Sequence, residues 1–190
     1  MPTTDLYLTL DGPITDQNVA QLIQQLDPAI GTGKVEHLYI MMSTPGGSIN
    51  AGITLYNYLN GLPVKITTHN IGQVDSIGNV IFQTGDERIA SHATSFLFHG
   101  VTFSAQGNIA MNRVQLEELL SQLKQDEKRI GVIIKDRTQL DGRKLNGFFK
   151  SGRSLSPTEA LSYGIIDQVA SVSIPDDAQR AIINTYPVQP

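Results

Sequence analysis

Three apolar segments of this sequence each end at residues that can do chemistry. Pro45-Gly46-Gly47-Ser48 follows the first segment, and Gly72-Gln73-Val74-Asp75-Ser76-Ile77-Gly78 follows the second. The third segment ends at His99. A glycine pair, a serine framed by glycines and a histidine are the residue types of an oxyanion site, a nucleophile and a base. Together they indicate a serine hydrolase.

Each of these residues also has an ordinary structural role. A glycine pair often serves a strand–helix turn, and a serine such as Ser76 often caps a helix. A lone histidine such as His99 is commonly a hydrogen-bonded core residue. We interpret Asp75 as a cap or a first-turn charge, because adjacent side chains rarely point the same way. His37, His69 and His92 share no metal spacing with His99, and we assign them structural roles.

Strand-like and helix-like segments alternate along the chain. Their hydrophobic periodicity predicts strands near residues 5–10, 36–42, 64–69, 87–90 and 94–98. It predicts helices near residues 16–26, 48–60, 76–84, 109–135 and 156–163. A short strand is expected to begin at residues 165–166, and the tail after residue 174 is expected to hold one short helix.

The alternation predicts an α/β fold with a mainly parallel sheet and right-handed crossover helices. The functional crevice of such sheets lies beyond the carboxyl ends of the strands. Gly47, Ser76 and His99 all follow such ends, so we expect them to meet in one site. The helix near 109–135 carries an apolar stripe, and the loop at residues 104–108 is rich in small polar side chains.

Composition excludes several classes of function. The 190 residues suit a single domain, 1–190, and the chain has a net charge of −4, with no basic stripe for nucleic acid. There is no cysteine, which removes disulfides, thiolate metal sites and cysteine nucleophiles. No signal peptide or membrane span is evident, so we expect a cytoplasmic protein without membrane contact. We expect neither a metal nor an organic cofactor.

These motifs resemble the ClpP family, the proteolytic subunits of Clp protease. Thr44-Pro45-Gly46-Gly47-Ser48 resembles the family's Ser-Pro-Gly-Gly stretch, and the serine segment resembles its Gly-x-Ala-Ala-Ser-Met-Gly. Leu97-Phe98-His99-Gly100-Val101 stands for Met-Ile-His-Gln-Pro, and Leu155 to Asp167 for the late Leu-Ser-Ala-x-Glu-Ala motif. The resemblance runs from about residue 6 to residue 169.

The resemblance implies a serine peptidase with a spiral of strands and crossover helices, as in the crotonase fold. It makes Ser76 the nucleophile and His99 the base. It makes the backbone N–H groups of Gly47 and Ile77 the oxyanion donors. It also implies peptide or unfolded protein substrates and a homo-oligomer, a seven-membered ring or two stacked rings. The helix near 109–135 would then form the ring–ring contact.

Two departures from the family pattern affect the function. Gly152 stands where the family has its catalytic aspartate. Asp136 or Asp141 could supply the missing carboxylate, the Ser–His pair could act as a dyad oriented by a backbone carbonyl or water, or the site could be degenerate; we favour the dyad. The short segment before the first strand argues against an ATPase partner, and both an ATP-independent and an ATPase-assisted peptidase stay open.

Two other functions compete with a peptidase. One is a non-catalytic subunit of a ClpP-like ring, which Gly152 favours and the retained Ser76 and His99 oppose. The other is an acyl-CoA hydratase or isomerase of the crotonase type. Such enzymes use backbone oxyanion holes with acidic bases and need no Ser–His pair.

Overall fold

A computed structural model describes residues 4–103, 107, 110–176 and 178–184. The polar loop expected at residues 104–108 lies outside these residues except for Gly107. The expected start of the long helix, at residue 109, also lies outside them.

The first part of the chain alternates strands and helices as the periodicity predicts. The elements are β1 (Thr4–Asp11), α1 (Asp16–Gly31), β2 (Val35–Thr44), α2 (Ile49–Asn60) and β3 (Lys65–Asp75). Side-chain oxygens cap the two helices, Thr15 accepting from the Asn18 N–H and Ser48 from the Ala51 N–H. These caps fix where each helix begins after its strand.

The second part holds shorter strands and the longest helix. Its elements are α3 (Gly78–Phe82), β4 (Glu87–Ala90), β5 (Ser95–Phe98), α4 (Arg113–Arg137), α5 (Gly142–Ser151), β6 (Arg153–Leu155), α6 (Pro157–Ser162), β7 (Gln168–Val169) and β8 (Gln179–Asn184). A capping box of Ser156 and Glu159 begins α6, with Pro157 at its first position.

The described strands form one mostly parallel sheet, so the predicted α/β class is confirmed. Its order is β6-β5-β3-β2-β1-β8, and β4 pairs with both β3 and β7. Every described pairing is parallel except that of β5 with β6. Because these strands are parallel, the carboxyl ends of β2, β3 and β5 lie at the same edge of the sheet. The three motifs begin at this edge.

Strand β3 is longer than predicted because it pairs with two strands, β4 and β5, one after the other along the same edge. Residues 67–70 pair with β4, and residues 73–75 pair with β5. The neighbour of β3 therefore changes from β4 to β5 toward the carboxyl end of β3. This change places the end of β5 beside the end of β3.

The core lies between this sheet and the helices. Leu8, Leu38 and Ile40 on the central strands and Leu22 and Leu55 on the covering helices are buried almost completely. Burial of one such side chain contributes about 1.5–3 kcal/mol. The strands that hold the candidate site are therefore anchored in the best-packed part of the molecule.

Helix α4 packs on the core only over its second half. Of the apolar stripe predicted for this helix, Ile134 is buried, whereas Leu116 and Leu120 are each 52% exposed. Val114 is exposed as well. The first half of α4 therefore presents apolar side chains that its own chain does not cover. None of the described helices is long and apolar enough to cross a membrane.

Two predictions about the second part of the chain are wrong. Instead of a short helix, the tail forms β8, which pairs in parallel with β1. The late short strand is β7 at residues 168–169, whereas residues 165–166 are buried just before it. The sequence does not predict helix α5, because only Leu145 and Phe148 form its buried face and the helix contains two glycines.

Candidate active site

Ser76 lies on the sharp turn between β3 and α3. The φ angle of Ser76 is 55°, in the left-handed region that residues other than glycine rarely adopt. Among the described residues, Ser76 is the only one besides glycines that has a positive φ. The Ser76 N–H donates to the carbonyl of Leu97 over 2.9 Å, which ties the turn to β5. A serine held in this conformation between a strand and a helix is the arrangement of a nucleophile elbow.

The glycine pair after β2 leaves one backbone N–H without a partner. The Gly46 N–H donates to Thr44 Oγ1, and the Gly46 carbonyl accepts from the Ile14 N–H. The Ser48 N–H donates to the carbonyl of Ile14. A Cβ on Gly47 would meet the Ile14 backbone, so only glycine fits there. Among the described residues, the Gly47 N–H alone in this turn has no acceptor.

A second unpaired N–H belongs to Ile77, directly after the serine. The Ser76 N–H donates to the carbonyl of Leu97, and the Asn79 N–H donates to the carbonyl of Ser76. No acceptor for the Ile77 N–H lies among the described residues. Two unpaired backbone donors at Gly47 and Ile77 are what an oxyanion hole requires.

His99 follows β5 and is partly buried. Its Nδ1 lies 2.7 Å from the carbonyl oxygen of Gly100. Because a carbonyl can only accept, Nδ1 carries the hydrogen and donates it, which we assign from this contact. In the neutral ring, Nε2 is then the atom that can accept a proton.

The segment after His99 is held by two helices. The Gly100 N–H donates to the carbonyl of Phe149 on α5 over 2.9 Å, and the Val101 N–H donates to Glu127 Oε1 on α4 over 3.3 Å. These bonds fix the peptide that presents the Gly100 carbonyl to the imidazole. The family has Gln-Pro at Gly100-Val101, and a proline there would lack the N–H that Glu127 binds.

Gly47, Ser76 and His99 line one small cavity of about 70 Å³. Most of its walls are apolar, from Ile49, Phe98, Ile130, Ile134 and Phe149. The structure thus brings together three motifs that span 52 positions of the sequence, from Gly47 to His99. Ser76 Oγ makes no hydrogen bond to His99 in this conformation. In enzymes without substrate such contacts are often long and close only in the complex.

Gly152 ends α5 with φ 68° and ψ 113°, a positive-φ conformation that residues with a side chain rarely adopt. Strand β6 then runs antiparallel to β5, and Arg153 pairs with Phe98. One step further, this register sets Gly152 level with His99. The position that the resemblance gives to the triad aspartate is therefore beside the imidazole, but it carries no side chain.

Neither carboxylate suggested as a replacement reaches this cavity. Asp141 caps α5 by accepting from the Lys144 N–H over 2.7 Å, and this bond lowers the pKa of its carboxyl. Asp136 lines a separate surface cleft with Arg88 and Arg137. Of the alternatives left open by the sequence, the observed contact is that of a backbone carbonyl with His99.

Asp75 has a different position from the one predicted. It is the last residue of β3 and caps no helix, since Ile77 is the N-cap of α3 and makes no side-chain cap bond. The Oδ1 atom of Asp75 is buried and has no hydrogen-bond partner. Asn79 also borders the site, and its Nδ2 donates to the carbonyls of Ser76 and Leu97.

The structural role assigned to His69 is supported by its surroundings. It is fully buried, and its ring nitrogens contact Tyr39 Oη, Ser91 Oγ and the carbonyl of Ala170. Burial lowers the pKa of His69. Within the described ranges, no three histidine or acidic side chains cluster as metal ligands.

The chain is similar to known proteins of one family. The sequence model of the Clp protease family matches residues 3–173. The chain belongs to the Clp protease family. It is 29% identical over 168 residues to the ATP-dependent Clp protease proteolytic subunit of Oltmannsiellopsis viridis, which covers 87% of this chain and 83% of that one.

Two other relatives carry the same name. The protein of Deinococcus radiodurans is 26% identical over 167 residues, covering 87% of this chain and 80% of that one. The protein of Chlorella vulgaris is 30% identical over 138 residues, covering 70% of this chain and 65% of that one. The resemblance to ClpP found in the motifs is thereby confirmed.

Proposed function

We propose that this protein is a serine endopeptidase that cleaves peptides through an acyl-enzyme, with Ser76 and His99 as a catalytic pair. One observation carries the proposal. Ser76 with its positive φ, His99 whose Nδ1 donates to Gly100, and Gly47 whose N–H is unpaired all line the same cavity. Its family relatives are named as proteolytic subunits, which agrees with this chemistry.

In the first half of the reaction, His99 Nε2 takes the proton of Ser76 Oγ as the oxygen attacks the scissile carbonyl carbon. The carbonyl oxygen becomes an oxyanion, and the N–H groups of Gly47 and Ile77 donate to it. The imidazolium then gives its proton to the leaving amine, which departs with the electron pair of the broken C–N bond. Ser76 remains as an acyl ester.

In the second half, water releases the acyl group. His99 Nε2 takes a proton from the water, whose oxygen attacks the ester carbonyl carbon. The same two N–H groups stabilise the second oxyanion. The proton returns to Ser76 Oγ as the ester bond breaks, which restores the free enzyme.

The Gly100 carbonyl supports His99 in this scheme without a charge. It holds the ring in the tautomer whose Nε2 is free, which is one of the two tasks of a triad carboxylate. It does not supply the negative charge that stabilises the imidazolium. We therefore expect a slower enzyme than one with a complete triad.

The substrate lies extended beside the turn at Gly47 and the segment after His99, pairing its backbone with them. The side chain next to the scissile bond enters the cavity lined by Ile49, Ile130 and Ile134. A cavity of about 70 Å³ with apolar walls favours a small apolar side chain there.

We further propose a homo-oligomeric ring that works in the cytoplasm, with the exposed first half of α4 in contacts between copies. Val114, Leu116 and Leu120 are the uncovered side chains that this contact would bury. The relatives are named ATP-dependent, so an ATPase partner is part of the test. Cleavage of short peptides without ATP would show that catalysis itself needs no unfoldase.

The test is hydrolysis of quenched fluorescent peptides that differ in the residue before the scissile bond. Ser76→Ala is the inactive control, and Ser48→Ala is a matched control on a neighbouring serine that only caps α2. Cleavage by the wild type and by Ser48→Ala, absent in Ser76→Ala, supports the proposal. Equal cleavage by Ser76→Ala would overturn it.

One observation favours a second function, that of a non-catalytic ring subunit. Gly152 gives the imidazole no carboxylate at the position beside it. A protein that forms rings, binds peptides and neither cleaves them nor reacts at Ser76 would have this second function.

A further inference from the structure

A carboxylate with one unpaired oxygen lies directly before the candidate nucleophile. Asp75 is partly buried, and its Oδ1 is almost completely removed from water without a hydrogen-bond partner among the described residues. Removing a charged oxygen from water without a partner is costly, so natural proteins rarely do it outside functional sites. The contacts of Asp75 within β3 do not explain why this oxygen is buried.

The strand register sets Asp75 on the same face of the sheet as His99. Asp75 pairs with Leu97 across β3 and β5, and His99 lies two residues after Leu97, one residue past the end of β5. Residues two apart in a strand share a face, and diagonal neighbours across a strand pair lie within reach of long side chains. The neighbouring Val74 is buried on the opposite face.

The electrostatics of Asp75 agree with this placement. Burial raises the pKa of its carboxyl, while the Leu97 N–H and the charge of His99 lower it. The other charged groups near the site have their own partners. Glu127 on α4 accepts from the Val101 N–H, and Arg153 on β6 pairs with Glu159 over 2.6 Å. Among the described titratable groups, His99 is the one whose charge acts on the Asp75 carboxyl.

We propose that Asp75 is a positioning residue that stabilises the imidazolium form of His99 through space. The Gly100 carbonyl fixes the tautomer, and the Asp75 carboxylate supplies the negative charge that Gly152 does not. Two groups thus share the tasks that one triad aspartate performs. This inference rests on the proposed function, because the imidazolium forms when Ser76 attacks its substrate.

The proposal predicts opposite effects on stability and on activity. A carboxyl whose folded pKa is raised is penalised once it ionises, and the penalty appears as pH rises through that folded value. At neutral pH, Asp75→Asn therefore removes a penalty and stabilises the fold. The same substitution removes the charge that supports His99, and so it slows the chemical step.

The experiment compares wild type, Asp75→Asn and Asp75→Ala with the matched control Asp136→Asn, a carboxylate in a separate cleft. Asp75→Ala introduces the residue that the ClpP motif has at this position, so we expect it to fold. Three quantities are measured: the NMR titration midpoint of the His99 ring protons, the melting temperature, and kcat with KM on a peptide.

We expect both Asp75 variants to move the His99 midpoint to lower pH. The melting temperature should rise at neutral pH. The value of kcat should fall about tenfold with KM unchanged, and Asp75→Glu should recover part of it. Asp136→Asn should change none of the three.

A His99 midpoint that stays in place in Asp75→Asn overturns the proposal, whatever the activity does. If the wild type cleaves no peptide, the proposed function fails, while the midpoint still tests the contact between the two side chains. If the wild type is active and the midpoint does not move, only the role of Asp75 fails.

Discussion

The imidazole of His99 donates its Nδ1 hydrogen to the carbonyl oxygen of the next residue, Gly100, 2.7 Å away. A backbone carbonyl thus occupies the place that a carboxylate has in a Ser–His–Asp triad. The carbonyl cannot be removed by mutation, but its position depends on the contacts of Gly100. These contacts make the relationship testable.

Replacing Gly100 with alanine should disturb this contact. A Cβ at Gly100 would lie 3.1 Å from Glu127 Oε1 and 3.1 Å from the Phe149 carbonyl oxygen, so the peptide must shift by a few tenths of an ångström. We expect kcat to fall about tenfold, because the imidazole loses its alignment with Ser76. KM should change little, because the substrate still binds in the same way. Steady-state kinetics on a fluorogenic peptide measure this.

Gly147→Ala is the matched control for that variant. Gly147 lies inside α5, and a Cβ there would meet nothing within 4 Å. Alanine in a helix interior stabilises by about 0.5–1 kcal/mol relative to glycine, so the melting temperature should rise without loss of kcat. Equal kinetics for Gly100→Ala and Gly147→Ala would contradict the role of the carbonyl.

Gly152→Asp should increase activity by restoring a carboxylate beside His99. A Cβ at Gly152 meets nothing within 4 Å, but the backbone, with φ 68° and ψ 113°, strains any L side chain placed there. We expect acylation of Ser76 to become faster by about tenfold or more, at a cost of about 1–3 kcal/mol from the strained backbone. Stopped-flow kinetics and thermal unfolding measure the two effects.

Gly152→Asn separates charge from shape in that experiment. Asparagine has nearly the same shape as aspartate, meets the same backbone strain and carries no charge. We expect its loss of stability to match that of Gly152→Asp, without the faster acylation. A rate increase common to both variants would show that the negative charge is not the cause.

Ile130→Ala should change which peptides are cleaved. Ile130 lines the cavity beside Ser76, and its truncation enlarges a space of about 70 Å³. We expect the preference to move from small apolar side chains toward leucine-sized or phenylalanine-sized ones, because loss or gain of a methylene in such a pocket changes discrimination by about 1–3 kcal/mol. The ratio of kcat/KM values across a peptide series gives the result, and an unchanged ratio would remove this cavity from substrate recognition.

Leu120→Asp should weaken the assembly of copies. Leu120 is 52% exposed on the first half of α4, and a carboxylate there would be buried in a contact between copies. We expect sedimentation velocity to show a smaller particle than the wild type. The control is Glu118→Gln, two positions earlier on the same helix. A wild-type particle size for Leu120→Asp would place the contact elsewhere.

Much of the framework could be predicted from the sequence. The ends of β2, β3 and β5 were located because apolar runs stop at glycines or polar residues, and parallel pairing then brings those ends together. The capping box at Ser156 and Glu159 could be predicted because its two residues lie only three positions apart. These features depend on neighbours within a few residues.

The features that were missed depend on distant contacts. Strand β8 forms because the edge of β1 is open to it, and nothing in its own sequence specifies that partner. The left-handed conformation of Ser76 and the buried Oδ1 of Asp75 both arise where β3 meets β5. The long extension of β3, on which the site depends, became evident only from its two pairing partners.

Reaction of Ser76 with a fluorophosphonate tests the catalytic pair most directly, because the probe needs only an activated serine and an oxyanion hole. The account predicts labelling of the wild type at Ser76, no labelling of Ser76→Ala, and labelling slower by about a hundredfold or more in His99→Ala. Mass spectrometry of the labelled peptide identifies the site. A folded wild type that is not labelled, or a His99→Ala variant labelled at the wild-type rate, would contradict it.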